Sequence, residues 1–221
     1  MKVIMHSSVS LDGSLLGFEV DMAAHYKIAG SFKADIHLVG SNTALSGLRI
    51  FYKKLPQEEE RDFAKPKANA KLPLWVIPDS GGRLKGKLHV LRNSGYCRDI
   101  AVLTTSNTPK GYLHYLTDRN YDWHYMGKRP IDFSHAFEVL AKEYRAKIIL
   151  TDSGKTLNGI LLNDGMLDKL SLLVHPVIVG GRRFPLFADV KADIRLKMLK
   201  SRTLNGKPWL LFKVIAPGCK K

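Results

Sequence analysis

Residue types that suit an anion fall together at Asp152-Ser153-Gly154-Lys155-Thr156. Ser153 and Thr156 carry hydroxyl donors, Gly154 lets a ligand come close to the backbone, and Lys155 adds a positive charge. Residues 148–150 form an apolar, β-prone run before this turn, and Leu157, Ile160, Leu161 and Leu162 recur at helical spacing after it until Gly165. A strand that feeds a helix so abruptly leaves the first helical N–H groups pointing past the strand end, where phosphate is a natural guest. Gly154-Lys155-Thr156 invites a P-loop reading, but that motif requires a glycine at position 149, which is Ile149 inside the strand. A shorter diphosphate-binding turn fits better. The same residues also suit an ordinary strand-to-helix turn in which Asp152 or Ser153 caps the helix.

Polar turns follow other expected strands in the same way. Residues 2–9 read as a strand closed by Ser10-Leu11-Asp12-Gly13-Ser14, and 35–40 as a short strand followed by a capping turn at Ser41-Asn42-Thr43. A third strand at 73–78 ends in Asp79-Ser80-Gly81-Gly82-Arg83. Further strands are expected at 88–91, 100–105, 123–126 and 167–179, the last with Pro176 favouring an edge or a bulge. A hairpin is expected at 195–204 and 209–215 across Asn205-Gly206. Helices are expected from the N-cap Asp21, at 110–117 and at 134–144, the last with Ala136, Val139 and Leu140 inward. Residues 49–72 mix charges with few apolar anchors and read as a surface excursion, a flap or a solvated loop with a helical turn at 58–63. This alternation predicts an α/β fold with helices on both faces of a mixed, mostly parallel sheet finished by antiparallel strands. Ligands of such sheets sit beyond the carboxyl ends of the strands.

The chain of 221 residues, 45% of them apolar, is enough for one domain over 1–221. Cys97 and Cys219 are the only cysteines, which argues against a disulfide framework and for a reducing compartment. No apolar run would span a bilayer and no signal-peptide pattern opens the chain, so a cytoplasmic location without membrane association is expected. Thirty-five Lys and Arg against twenty Asp and Glu give a net charge of +15, which implies an anionic partner. The basic residues are spread over the whole length, so nucleic acid ranks below a phosphorylated metabolite or dinucleotide.

The order of these motifs resembles the reductase domain of riboflavin biosynthesis, the C-terminal domain of the bifunctional deaminase-reductase, which has the dihydrofolate reductase fold. The resemblance is carried by Ser8-Val-Ser-Leu-Asp-Gly13, Ala34-Asp-Ile-His-Leu-Val-Gly-Ser-Asn-Thr43, Val76-Ile-Pro-Asp-Ser80, Thr156-Leu-Asn-Gly-Ile-Leu-Leu162 and His175-Pro-Val-Ile-Val-Gly-Gly181. It implies NADPH-dependent reduction of the ribose of a phosphoribosylamino-pyrimidine to a ribitol. By the same resemblance, Ser153, Gly154, Lys155, Thr156 and Leu157 hold the cofactor diphosphate and Gly40 with Thr43 lines the cofactor groove. Ser80 and Arg83 lie near the 2′-phosphate, Asp12 and Gly13 border the substrate, and Arg49 stands in for a substrate-side arginine. The chain departs from the family where Ser14 replaces a lysine, where Ala44-Leu-Ser-Gly-Leu-Arg49 replaces an acidic, proline-containing segment, and where Asp152-Ser153-Gly154-Lys155 replaces a glutamate and three glycines.

The eight histidines show neither an i, i+4 pair nor cysteine partners, so surface or core roles are expected and no metal site. Asp168 reads as a turn residue, and Trp75, Trp123 and Trp209 as core. The edges of the 170–179 strand and the terminal hairpin predict a homodimer, which the resemblance also implies.

Overall fold

The computed structural model describes residues 1–215 apart from 68, 70, 129 and 183, so Cys219 and Arg183 lie outside the described residues. The chain divides into two compact units, Met1–Ala34 with Lys147–Lys221, and Asp35–Ala146.

Val3, Ile4, Met5 and Val9 are buried along β1 (Lys2–Ser10), the strand at the heart of the first unit. It pairs in parallel with β6 (Ile148–Thr151) on one side and β7 (Lys169–His175) on the other. β7 continues antiparallel to β9 (Lys207–Ile215), which pairs antiparallel with β8 (Arg195–Leu204). Asn205 and Gly206 both adopt positive φ, as the two-residue hairpin between them requires. Helix α1 (Met22–Ser31) begins where Asp21 accepts the Ala24 N–H at 2.9 Å, and packs Ala24 and Ile28 on Leu173 and Trp209. Helix α6 (Lys155–Asn163) follows β6.

In the second unit β2 (Ile36–Leu38), β3 (Leu74–Pro78), β4 (Asp99–Thr104) and β5 (Asp122–Tyr125) are parallel in that order. Parallel neighbours need crossover connections. Helices α2 (Ser41–Phe51), α3 (Leu88–Arg92) and α4 (Lys110–Asp118) supply them, and α5 (Phe133–Tyr144) follows β5. Ala44, Leu48, Leu88, Tyr112 and Leu116 from these helices pack with Ile77, Ile100 and Val102 of the strands.

Five sequence expectations are corrected. Residues 88–91 form α3, a helix buried all round, whose short apolar run has no period that separates it from a strand. β7 stops at His175 and is paired on both sides, so Pro176 lies just past the ladder and costs it no hydrogen bond. Ser41, Asn42 and Thr43 are already the first turn of α2, with Gly40 as N-cap. Trp123 is exposed on the edge strand β5, while Trp209 is buried and Trp75 half-buried. On α5 Ala136 and Leu140 point inward with Phe133 and Phe137, whereas Val139 is half-buried.

The excursion between α2 and β3 is tied down. A 3-10 turn, Glu60–Phe63, sits in it, and Glu58 accepts hydrogen bonds from Tyr115 Oη at 2.7 Å and Arg119 Nε at 2.6 Å. Arg92, buried to 4% exposure, donates to the carbonyls of Asp62, Ala64, Arg119 and Asn120 and pairs with Asp99 at 2.9 Å. Its guanidinium lies 3.6 Å from the centre of the Tyr121 ring.

Candidate functional site

In the first unit the turn between β6 and α6 is shaped by Asn158, a fully buried side chain one turn into the helix. Its amide donates back to the Ser153 carbonyl, and its Oδ1 lies 3.5 Å from the Thr151 hydroxyl. The Ser153 N–H in turn reaches Thr151 Oγ1 at 3.4 Å. Of the expected diphosphate residues, Ser153 and Leu157 are thereby buried, while Gly154, Lys155 and Thr156 face outward to differing degrees. Gly154 is the N-cap of α6, and no side chain caps the helix. Its φ of −75° is open to any residue, and a Cβ added there would meet nothing within 4 Å. The fold itself does not require glycine at this position. The first N–H groups of α6 therefore emerge beside open space, with the positive end of the helix dipole behind them. Lys155 is partly engaged: its ammonium is 3.4 Å from Asp189 and 5.3 Å from the centre of the Phe184 ring.

Behind the turn, Asp152 Oδ2 lies 3.6 Å from His25 Nε2, whose Nδ1 is 3.0 Å from the Ser8 hydroxyl. His6 sits against His25, ring centres 4.4 Å apart, with its Nδ1 3.0 Å from Ser171 Oγ. Burial, with a smaller contribution from the neighbouring imidazole of His25, pushes the His6 imidazole down to about 3, so His6 is neutral at physiological pH. Both histidines are core residues of the kind expected from the sequence.

Asp12 closes the loop after β1. Its carboxylate accepts the Ser10 hydroxyl at 2.6 Å and the N–H groups of Val179 and Gly180 at 3.2 and 2.9 Å. These donors, the Ser10 hydroxyl first, hold its pKa down to about 2. Ser14, fully buried, accepts the Phe184 N–H at 2.7 Å and donates to the Leu16 carbonyl at 2.8 Å. Asp12 and Ser14 thus staple the 10–16 loop to the segment after β7, with Gly13 between them. Asp168 has a similar structural task, accepting the Val3 N–H at 2.7 Å.

In the second unit the turn after β3 is organised by Asp79, buried to 1% exposure. Its two oxygens accept the N–H groups of Arg83 at 3.1 Å and Leu84 at 2.9 Å. Ser80 is half-buried and Arg83 exposed, and the Arg83 guanidinium donates to Asn42 Oδ1 in the first turn of α2. This contact brings Arg83 to the end of α2 that holds Gly40 and Thr43, where again no side chain caps the helix. Arg49 lies eight positions after Ser41 on the exposed last turn of α2, roughly 12 Å along the axis from the Gly40 end. The structure therefore groups Gly40, Thr43 and Arg83 and keeps Arg49 apart from them. The sequence placed Asp79 in a candidate turn and Asn158 in a motif, but not their roles as the buried side chains that shape the two turns. The signal for Asn158 was a polar residue at a helical position where periodicity calls for an apolar one.

In the first unit the N-terminus of α6, with open space at Gly154, suits a phosphate group; in the second unit the N-terminus of α2, with the Arg83 guanidinium beside it, suits one as well. The family described as the RibD C-terminal domain matches residues 1–208. A 2,5-diamino-6-ribosylamino-4(3H)-pyrimidinone 5′-phosphate reductase from Aquifex aeolicus is 26% identical over 147 residues, 63% of each chain. The uncharacterized protein YyaP of Bacillus subtilis is 39% identical over 65 residues, 29% of this chain and 34% of that one. The chain thus spans about a third to just under two thirds of the lengths of these relatives. Among solved structures, a pyrimidine reductase-like protein from Corynebacterium diphtheriae superposes with a TM-score of 0.74 at 18% identity, over 97% of this chain and 92% of its own. The Saccharomyces cerevisiae riboflavin biosynthesis reductase Rib7 gives 0.68 at 16% identity, over 97% and 90%. These likenesses share the fold.

Proposed function

Because the chain belongs to the RibD C-terminal domain family, we propose that it is an NADPH-dependent reductase that converts the ribose of a 5-amino-6-(phosphoribosylamino)pyrimidine to the ribitol. In this reading the whole chain acts as one reductase domain, forms a homodimer and works in the cytoplasm. The observation that carries the reading is the β6–α6 turn: an N-terminus without a side-chain cap, at a glycine that the fold does not itself need. Gly154, Lys155 and Thr156 bind the diphosphate through backbone N–H groups and the Thr156 hydroxyl, with Ser153 and Leu157 setting the turn from beneath. In the second unit Gly40 and Thr43 bind the cofactor, and Ser80 with Arg83 binds its 2′-phosphate. Asp12, Gly13 and Arg49 are the proposed substrate residues. Asp12 contributes by fixing its loop, since its carboxylate is occupied by three donors.

The nicotinamide supplies the hydride when bound. The protein's part is to orient donor and acceptor and to exclude water. Another small carbonyl or imine substrate is the second reading, favoured by Ser14, which is sealed against Phe184 where the family carries a lysine. An assay of NADPH consumption separates the two. Turnover with the phosphoribosylamino-pyrimidine is expected; NADPH binding without turnover of that compound would move the assignment to the second reading.

A further inference from the structure

Residues 195–215 contain Arg195, Lys197, Lys200, Arg202, Lys207 and Lys213 and no aspartate or glutamate. In a flat strand pair Lys197, Leu199 and Ser201 would share a face, because side chains alternate. The ladder is irregular between Met198 and Lys200, so that Lys197 faces Lys213 while Lys200 faces Leu211 and Arg202 faces Trp209. This bulge turns Lys200 and Arg202 onto the face that already carries Arg195 and Lys197. On the next strand Lys213 also faces Lys169, so Lys169, Lys213 and Lys197 stand abreast across β7, β9 and β8. Side chains directly opposite one another are about 5 Å apart at Cβ, and like charges so placed repel.

Most of these charges lack a direct ion-pair partner, although Lys200 lies over the Trp209 ring and Asp164, Asp168 and Asp193 line the same cavity as Lys169 and Lys213. Lys207 is held by Asp21 at 3.1 Å, but among the described residues none of the other five hairpin cations, nor Lys169, has a carboxylate within 4 Å. Asp168, next to Lys169, gives its carboxylate to the Val3 N–H. Arg195, Lys197, Arg202 and Lys213 are exposed and Lys200 is half-buried, its ammonium 5.1 Å from the centre of the Trp209 ring. From Arg195 to Arg202 the row extends roughly 20 Å, several times the span of a single phosphate.

We propose that this face of the β8–β9 hairpin binds the phosphate backbone of nucleic acid without regard to sequence, a function separate from the reductase reading. The length of the row calls for a polymeric anion. A membrane surface fits less well, because the exposed Leu196 and Met198 point to the opposite face and Trp209 is buried under α1, which leaves Ile215 opposite Arg195 and Leu199 at the bulge as the apolar residues exposed beside the cations. A second copy of the same face would bring like charges together.

The test is fluorescence anisotropy of a labelled single-stranded oligonucleotide of about 20 nucleotides, titrated with the full chain between about 50 and 200 mM salt. The five cations of this face, four exposed and Lys200 half-buried, predict a log–log salt slope of up to about −3.5. The triple variant Lys197→Gln/Lys200→Gln/Arg202→Gln should bring the slope to about −1.5 and weaken binding more than tenfold at low salt. A variant of equal charge loss elsewhere, Lys53→Gln/Lys54→Gln/Lys71→Gln, should keep both values. Thermal unfolding at an unchanged midpoint certifies the fold; should the triple variant unfold early, Lys197→Gln alone is expected to shift the slope by about 0.7. Absence of binding at low salt, equal losses in the two triple variants, or binding to vesicles rich in phosphatidylserine without binding to the oligonucleotide would overturn the proposal.

Discussion

Asn158 does at the residue scale what a capping side chain does from outside a helix, but from within it. By reaching back to the Ser153 carbonyl it fixes the turn and leaves the outward N–H groups of α6 without a side-chain cap. Replacing it with alanine would strand a buried carbonyl and the Thr151 hydroxyl, at a cost of about 2 kcal/mol. Asn158→Ala is therefore expected to lower the urea midpoint and also to weaken NADPH binding, whereas Thr156→Ala, at an exposed position, should weaken binding alone. Equilibrium unfolding and a binding titration on the same samples separate the two effects. The turn between β6 and α6 was legible in the sequence because serine, glycine, lysine and threonine fall between two apolar runs. Asn158 was not, since one amide inside a helical pattern does not reveal which carbonyl it serves. Lys155 looked like a free cation in the sequence, and only the fold brings Asp189, thirty-four positions on, within 3.4 Å.

At the scale of elements, strands and helices with a clear period were legible, and runs without one were not. β1, the α1 cap at Asp21 and the Asn205-Gly206 hairpin follow from local chemistry. Residues 88–91 did not, because an apolar run buried on every side suits strand and helix alike. The 49–72 excursion read as a surface flap or solvated loop because its own sequence has few apolar anchors. Besides Tyr52 and Leu55, which pack against the core, its anchors are polar and come from elsewhere: Arg92 of α3, with Tyr115 of α4 and Arg119 just beyond it. Arg92→Ala should cost roughly 3 kcal/mol, since it leaves several carbonyls and Asp99 without their donor. Arg92→Lys should recover only part, because an ammonium cannot match the fork of contacts. Burial already raises the Asp99 pKa and Arg92 opposes that rise. Without Arg92 the carboxyl rises further, so the charged form carries the penalty and protonation relieves it. The loss of stability in Arg92→Ala should then be greatest near pH 7 and shrink as pH falls toward about 4, as read from urea unfolding at the two pH values.

For the whole molecule, the +15 charge announces an anionic partner without saying where it binds. In sequence the cations look evenly spread. Strand register gathers a subset onto one face of the hairpin, while the helix N-termini of α6 and α2 offer anion seats built from backbone, which no charge count records. The chain belongs to a reductase family, and the central proposal is that the β6–α6 turn binds the diphosphate of NADPH. The most direct measurement is titration of the purified protein and its Gly154→Ala variant with NADPH and with NADH, following nicotinamide fluorescence and thermal stability in parallel. Saturable binding is predicted, tighter for NADPH than for NADH. Gly154→Ala should lose at least about tenfold in affinity while unfolding at an unchanged temperature, because the added methyl meets only the space a diphosphate would fill. No response to either nucleotide, or equal affinity in Gly154→Ala, would contradict the account.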